Sequence, residues 1–119
     1  MKSSMRGISY FLVVVLLSSS IVSGTVSAQI EKDTELMFNQ ANEHFVKEEY
    51  RKAITIYDEI LEIAPNNISA LKMKGMVQSN LEDHGKSLKQ FFKVLQHRPN
   101  DVISLTGMEV GFRNLGEYQ

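Results

Sequence analysis

The sequence predicts an all-α chain of stacked antiparallel helix pairs, and three observations predict it. Apolar residues recur at the i, i+3, i+4 spacing of one helix face, as in Ala53, Ile54, Tyr57, Ile60 and Leu61. Both prolines of the 119-residue chain, Pro65 and Pro99, stand 34 residues apart and close such stretches. At that offset side-chain class repeats far better than identity, which is what packing constraints produce.

The chain opens on a different pattern. Residues 1–28 have a basic start (Lys2, Arg6), an apolar core Ile8 to Leu17, and small residues ending in Val26-Ser27-Ala28. That order predicts a secretory signal peptide cleaved after Ala28, and so an exported, extracytoplasmic protein. An uncleaved N-terminal anchor and a buried helix of the domain are the competing readings. A membrane span needs about 20 apolar residues, and Ser18-Ser19-Ser20 interrupts this one after about half that.

The first full unit is Thr34 to Asn67, two short helices with a turn between them and a proline stop. Ala41 on its first helix and Ala53 on its second are small, so the two can approach closely. Tyr57 lies one turn beyond Ala53 on the same face. Pro65 ends the second helix because proline disfavours helix at the residue before it. The second unit, Ile68 to Asp101, matches it with Gly75, Ser87, Phe91, Leu95 and Pro99. One pair offers only about half a dozen buried side chains, each contributing roughly 1.5–3 kcal/mol, too few to offset its ordering entropy. The pairs must therefore stack.

A third copy, residues 102–119, supplies a first helix alone. Leu105, Met108, Phe112 and Leu115 would then form an apolar stripe open to water. The expectation is the front of a longer repeat protein, or a groove completed by another chain, self-association included. Glu109 occupies the small-residue slot between Gly107 and Gly111, which predicts looser packing here, since each glycine weakens a helix by about 1 kcal/mol relative to alanine.

Composition excludes several functions. Without Lys2 and Arg6 the formal charge falls from −1 to −3, and no basic run survives, so nucleic-acid binding is disfavoured. Zero cysteines exclude disulfides, thiol catalysis and cysteine-ligated metals. His44, His84 and His97 stand at no metal-ligand spacing; His44 is expected between helices, His84 at the turn and His97 near a helix end. The acidic pairs Glu48-Glu49 and Glu82-Asp83 read as solvated turn residues. No catalytic residues, cofactor or metal site are expected. Asn67-Ile68-Ser69 is a glycosylation sequon, with Asn67 as acceptor if the host carries the machinery; otherwise Asn66-Asn67 merely closes one pair and starts the next.

The 34-residue period, the small residues Ala41, Gly75 and Ala53, the aromatics Tyr57 and Phe91 and the closing Pro-Asn pairs together resemble the tetratricopeptide repeat family over Thr34 to Gln119. Departures are Met37, Leu71 and Leu105 for the family's large aromatic, Gln40 and Lys74 for its leucine, and His44 and Gln78 for its tyrosine. The resemblance implies a right-handed superhelical solenoid, apparently truncated, with repeats at 34–67 and 68–101 and a partial one at 102–119. It also implies a concave groove receiving a partner protein's peptide or helix. Carried onto this chain, the groove residues are Phe38, Asn39, Asn42, Phe45, Lys72, Met73, Met76, Ser79, Thr106, Val110 and Arg113. Asn42 and Lys72 match single elements of the set with which some members grip a terminal carboxylate. The leading expectation is a non-enzymatic interaction module. A structural or self-assembling element of the cell envelope, or an enzyme domain further on, are the alternatives.

Overall fold

The computed structural model describes the backbone of residues 2–117 and the side chains of residues 24–116. Five α-helices are described: α1 (Lys2–Val46), α2 (Tyr50–Ile63), α3 (Ile68–Asn80), α4 (His84–His97) and α5 (Val102–Glu117). No strand occurs among the described residues. The chain is all-α.

It divides into two compact units, Met1–Asp33 and Thr34–Gln119. α1 begins at Lys2 rather than at Thr34, residues 24–33 contain no proline to interrupt it, and Gln29 Nε2 donates to Asp33 Oδ1 one turn on at 2.8 Å. The apolar core of the leader, Ile8 to Leu17, lies outside the residues whose side chains are described. Among the described residues no helix is long and apolar enough to cross a membrane.

In the second unit the backbone repeats with the offset seen in the sequence. Glu48 and Glu82, equivalent turn residues, both sit in the left-handed region, at φ 60° and 61°. Such a conformation costs an ordinary L-residue about 1–2 kcal/mol, and here it closes the helix end. The Glu49 N–H donates to the His44 carbonyl as the Asp83 N–H donates to that of Gln78, both at 2.9 Å. Each second helix ends alike, Ala64 donating to Ile60 and Arg98 to Val94 at 2.8 Å, one residue before the prolines. The following helices are capped alike: Asn67 Oδ1 accepts from the Ala70 N–H at 3.0 Å and Asp101 Oδ1 from that of Ser104 at 2.9 Å.

Ala41, Ala53, Tyr57, Ile60, Ala70 and Val77 form the fully buried core. The small residues permit the close approaches they were expected to permit. Ala41 and Ala53 are sealed, and a Cβ on Gly75 would stand 3.0 Å from the Phe91 ring. Ser87 Oγ donates to the Gly75 carbonyl at 2.8 Å, tying α4 to α3. α3 packs against α2, α4 and α5 together, which explains why its buried residues, from Ala70 and Leu71 to Gly75, Val77 and Gln78, spread around the helix instead of forming one stripe.

α5, the first helix of the third copy, sits closely on α4 of the preceding pair. A Cβ on Gly107 would lie 2.3 Å from the Phe91 ring, and one on Gly111 2.8 Å from Leu88. The two glycines, one turn apart, are what lets α5 settle on α4. Glu109 points away, exposed and paired with Arg113 at 2.6 Å.

Candidate functional site

Four of the expected groove residues come together. Met76 and Ser79 of α3 and Thr106 and Val110 of α5 line a groove of about 340 Å³. Asn80, Phe91, Val102, Ile103 and Gly107 complete its wall. The physical origin is local: Gly107 has no side chain, so α5 rests on Phe91 and leaves a trough beside it. The lining carries no charged residue. Its apolar floor (Met76, Val110, Ile103) suits a bulky uncharged side chain, and the Ser79, Asn80 and Thr106 side chains can exchange hydrogen bonds with a peptide backbone.

The other expected residues are placed differently. Phe38 packs its ring on Tyr57 with centroids 5.9 Å apart, and Phe45 does the same with Tyr50 at 5.9 Å. Both, with Met73, lie half-buried against the core. Asn42 Oδ1 accepts from the Tyr57 hydroxyl at 2.5 Å. Lys72 Nζ is held 2.9 Å from Asp101 Oδ2, binding α3 to the cap of α5. Asn39 is exposed, and Arg113 is taken up by Glu109. Asn42 and Lys72, which match single elements of an incomplete carboxylate-gripping set, each have a partner within the chain.

Ile103, Val102 and Asn80 went unread in the sequence. Ile103 stands one period beyond Ser69 and two beyond Glu35, so a polar slot turning apolar at the third copy was the available signal.

A second cleft, of about 590 Å³, lies where α2, α3 and the start of α4 meet, lined by Arg51, Ile54, Thr55, Asp58, Lys74, Gln78, Leu81, Asp83 and Lys86. It is larger, but its charges are mostly spent on one another. Lys74 pairs with Asp58 and Lys86 with Asp83, at 2.5 and 3.0 Å. The bond from Lys86 holds the Asp83 carboxyl below the usual range. Glu49 is lowered likewise, first by Lys52 and then by His44. The Asp101 carboxyl is pushed up by burial, but Lys72 and the Ser104 N–H together bring it below its ordinary value. Burial pushes the Tyr57 hydroxyl up to about 12.

His44 is half-buried with Nδ1 3.4 Å from Glu49 Oε1, His84 is buried at the start of α4, and His97 is exposed at its end. No group of three metal-ligating side chains is present among the described residues. Asn67 is half-buried, its Oδ1 engaged in the α3 cap. No family model matches the chain, and no curated protein is significantly similar to it.

Proposed function

We propose that this chain is an exported, non-enzymatic interaction module of the tetratricopeptide repeat type, holding an extended segment of a partner protein in the groove between α3 and α5. The observation that carries the reading is the convergence of Met76, Ser79, Thr106 and Val110 on one uncharged trough. The recurrence of turn, cap and helix-end hydrogen bonds at the 34-residue offset supports the repeat assignment. The leader, with its basic start and apolar core, supports export.

The groove recognises its ligand by an apolar anchor seated over Phe91 and Val110, with Ser79 and Thr106 bonding the backbone beside it. Because the wall is two packed helices, little ordering cost accompanies binding. The Asn42–Tyr57 and Lys72–Asp101 contacts hold the helices that present the groove and do not themselves meet the ligand.

Selection of a displayed random-peptide library against the chain tests this. Enriched peptides should share a bulky apolar residue in an uncharged context, and Val110→Glu should abolish their binding while the helical circular dichroism persists. Selected peptides that bind Val110→Glu as well as the parent would overturn the groove.

A further inference from the structure

The cleft formed by α2, α3 and the start of α4 holds two polar groups that the fold leaves unused. The first is the Gln78 side chain, which lines the cleft although Gln78 as a whole is only 6% exposed. Its Oε1 is buried and accepts no hydrogen bond. The repeat explains why. In the first copy the equivalent residue, His44, meets Glu49 Oε1 at 3.4 Å. Asp83, the equivalent of Glu49, has a shorter side chain and is occupied at its own helix start. Its Oδ1 accepts from the Lys86 N–H, and its Oδ2 pairs with Lys86 Nζ at 3.0 Å. Gln78 is left carrying a desolvation cost that a ligand's donor would remove.

The second is the Arg51 guanidinium. The carboxylates around it pair with other cations: Glu49 with Lys52, Asp58 with Lys74 and Asp83 with Lys86. Arg51, Lys74 and Lys86 share the cleft with Asp58 and Asp83 alone, so one positive charge stays uncompensated. Ile54 and Leu81 supply apolar wall to the same cleft. One repeat on, on the α4–α5 face, Gly85 and Phe112 occupy the places of Arg51 and Gln78, so the architecture calls for neither.

We propose that this cleft is a second binding site, separate from the α3–α5 groove, for a monoanionic carboxylate with a neighbouring N–H donor and a small apolar body. Arg51 meets the carboxylate with two parallel N–H bonds, a planar fork on a planar anion. A half-turn about the last side-chain bond brings either end of the Gln78 amide to the cleft, so its oxygen can accept from the donor. The apolar body lies on Ile54 and Leu81. Charge selects the anion class. One free cation balances a carboxylate, whereas a phosphate monoester brings close to two negative charges. An N-acylated amino acid has this chemistry as a free molecule, and a glutamate or aspartate within a protein segment has it too.

Titration of the isotope-labelled full chain with N-acetylleucine, followed by NMR, tests this. The Gln78 side-chain amide and Arg51 Nε signals should shift saturably, with a dissociation constant on the order of 1 mM. N-acetylleucine amide, which lacks the carboxylate, should leave them in place. Arg51→Gln should weaken binding about tenfold. Gln78→Met should weaken it about threefold while leaving the urea midpoint unchanged or higher, which separates a ligand contact from a structural role. An amidated pentapeptide with one central glutamate distinguishes the sources. Equal or tighter Arg51-dependent binding assigns the site to a protein side chain, and weaker binding assigns it to a small acid. No saturable shift up to about 50 mM N-acetylleucine would overturn the proposal. So would an equal response to the amide, binding unchanged in Arg51→Gln, or tighter binding of inorganic phosphate.

Discussion

The α2–α3 cleft and the α4–α5 face are the same place one repeat apart, and they have opposite chemistry. Moving 34 residues along turns Arg51 into Gly85, Asp58 into Phe92, Lys74 into Met108 and Gln78 into Phe112. The backbone beneath hardly notices, because its turns, caps and helix ends recur bond for bond. The architecture rests on a few sealed positions and on paired turn residues. The surface over it is free to be a closed network of charges in one copy and an apolar plate in the next. The charged version can satisfy itself in water, whereas the apolar version gains free energy from being covered.

The largest test of this contrast lies in the aromatic slot, tyrosine at 57 and phenylalanine at 91. The Tyr57 hydroxyl titrates near 10.0 when unfolded and near 12 when folded, so the folded chain binds its proton more tightly. Its contribution is fully present below pH 10 and is lost as pH rises through 12, about 3 kcal/mol in all. Urea midpoints should fall over that window, and Tyr57→Phe should remove this tyrosine's share of the decline while costing about 1 kcal/mol at neutral pH through the lost bond to Asn42.

Next comes the seat of α5. Gly107→Ala should lower stability by about 2 kcal/mol, because the added carbon meets the buried Phe91 ring. Gly116→Ala has nothing within 4 Å and should be neutral or raise stability by up to about 1 kcal/mol. Equal effects in urea melts would show that α5 does not rest on α4 as described.

Asp101→Asn keeps a capping oxygen but loses the ion pair with Lys72, an expected cost of about 1 kcal/mol at neutral pH. Because the Asp101 carboxyl is lowered on folding, that contribution is present above pH 3.8 and fades as pH falls through the folded value. The asparagine variant should lack that part of the acid dependence. The smallest effect belongs to the surface itself. Asp58→Phe with Lys74→Met copies the later face onto the earlier cleft, and should change stability by less than about 1 kcal/mol while increasing self-association in sedimentation.

Much of the fold was legible because its determinants are local and periodic. Ala41, Gly75 and Ala53, the aromatics Tyr57 and Phe91, and the prolines each answer to neighbours at fixed spacing. What escaped depends on contacts across the chain. Asn42 meets Tyr57 15 residues on, and Lys72 meets Asp101 29 residues on, contacts that no local spacing announces. Glu48 and Glu82 gave no sign of a left-handed backbone, since glycine or asparagine is the usual marker. Gly107 and Gly111 looked like weak points in an isolated helix, and only the position of Phe91 and Leu88 turns them into a seat. Met76, Ser79, Thr106 and Val110 of the groove were readable from the repeat pattern, Ile103 left only the signal of a polar slot turned apolar, and Asn80 required knowing how the two helices lie together.

The central claim is that ligand enters between α3 and α5, and a single reporter can locate it, because the chain has no cysteine of its own. Thr106→Cys carrying an environment-sensitive fluorophore should show a saturable spectral shift with a library-selected peptide, while the same label at Thr55→Cys, in the charged cleft, should stay silent. A saturable response at position 55 with none at 106 would contradict the account.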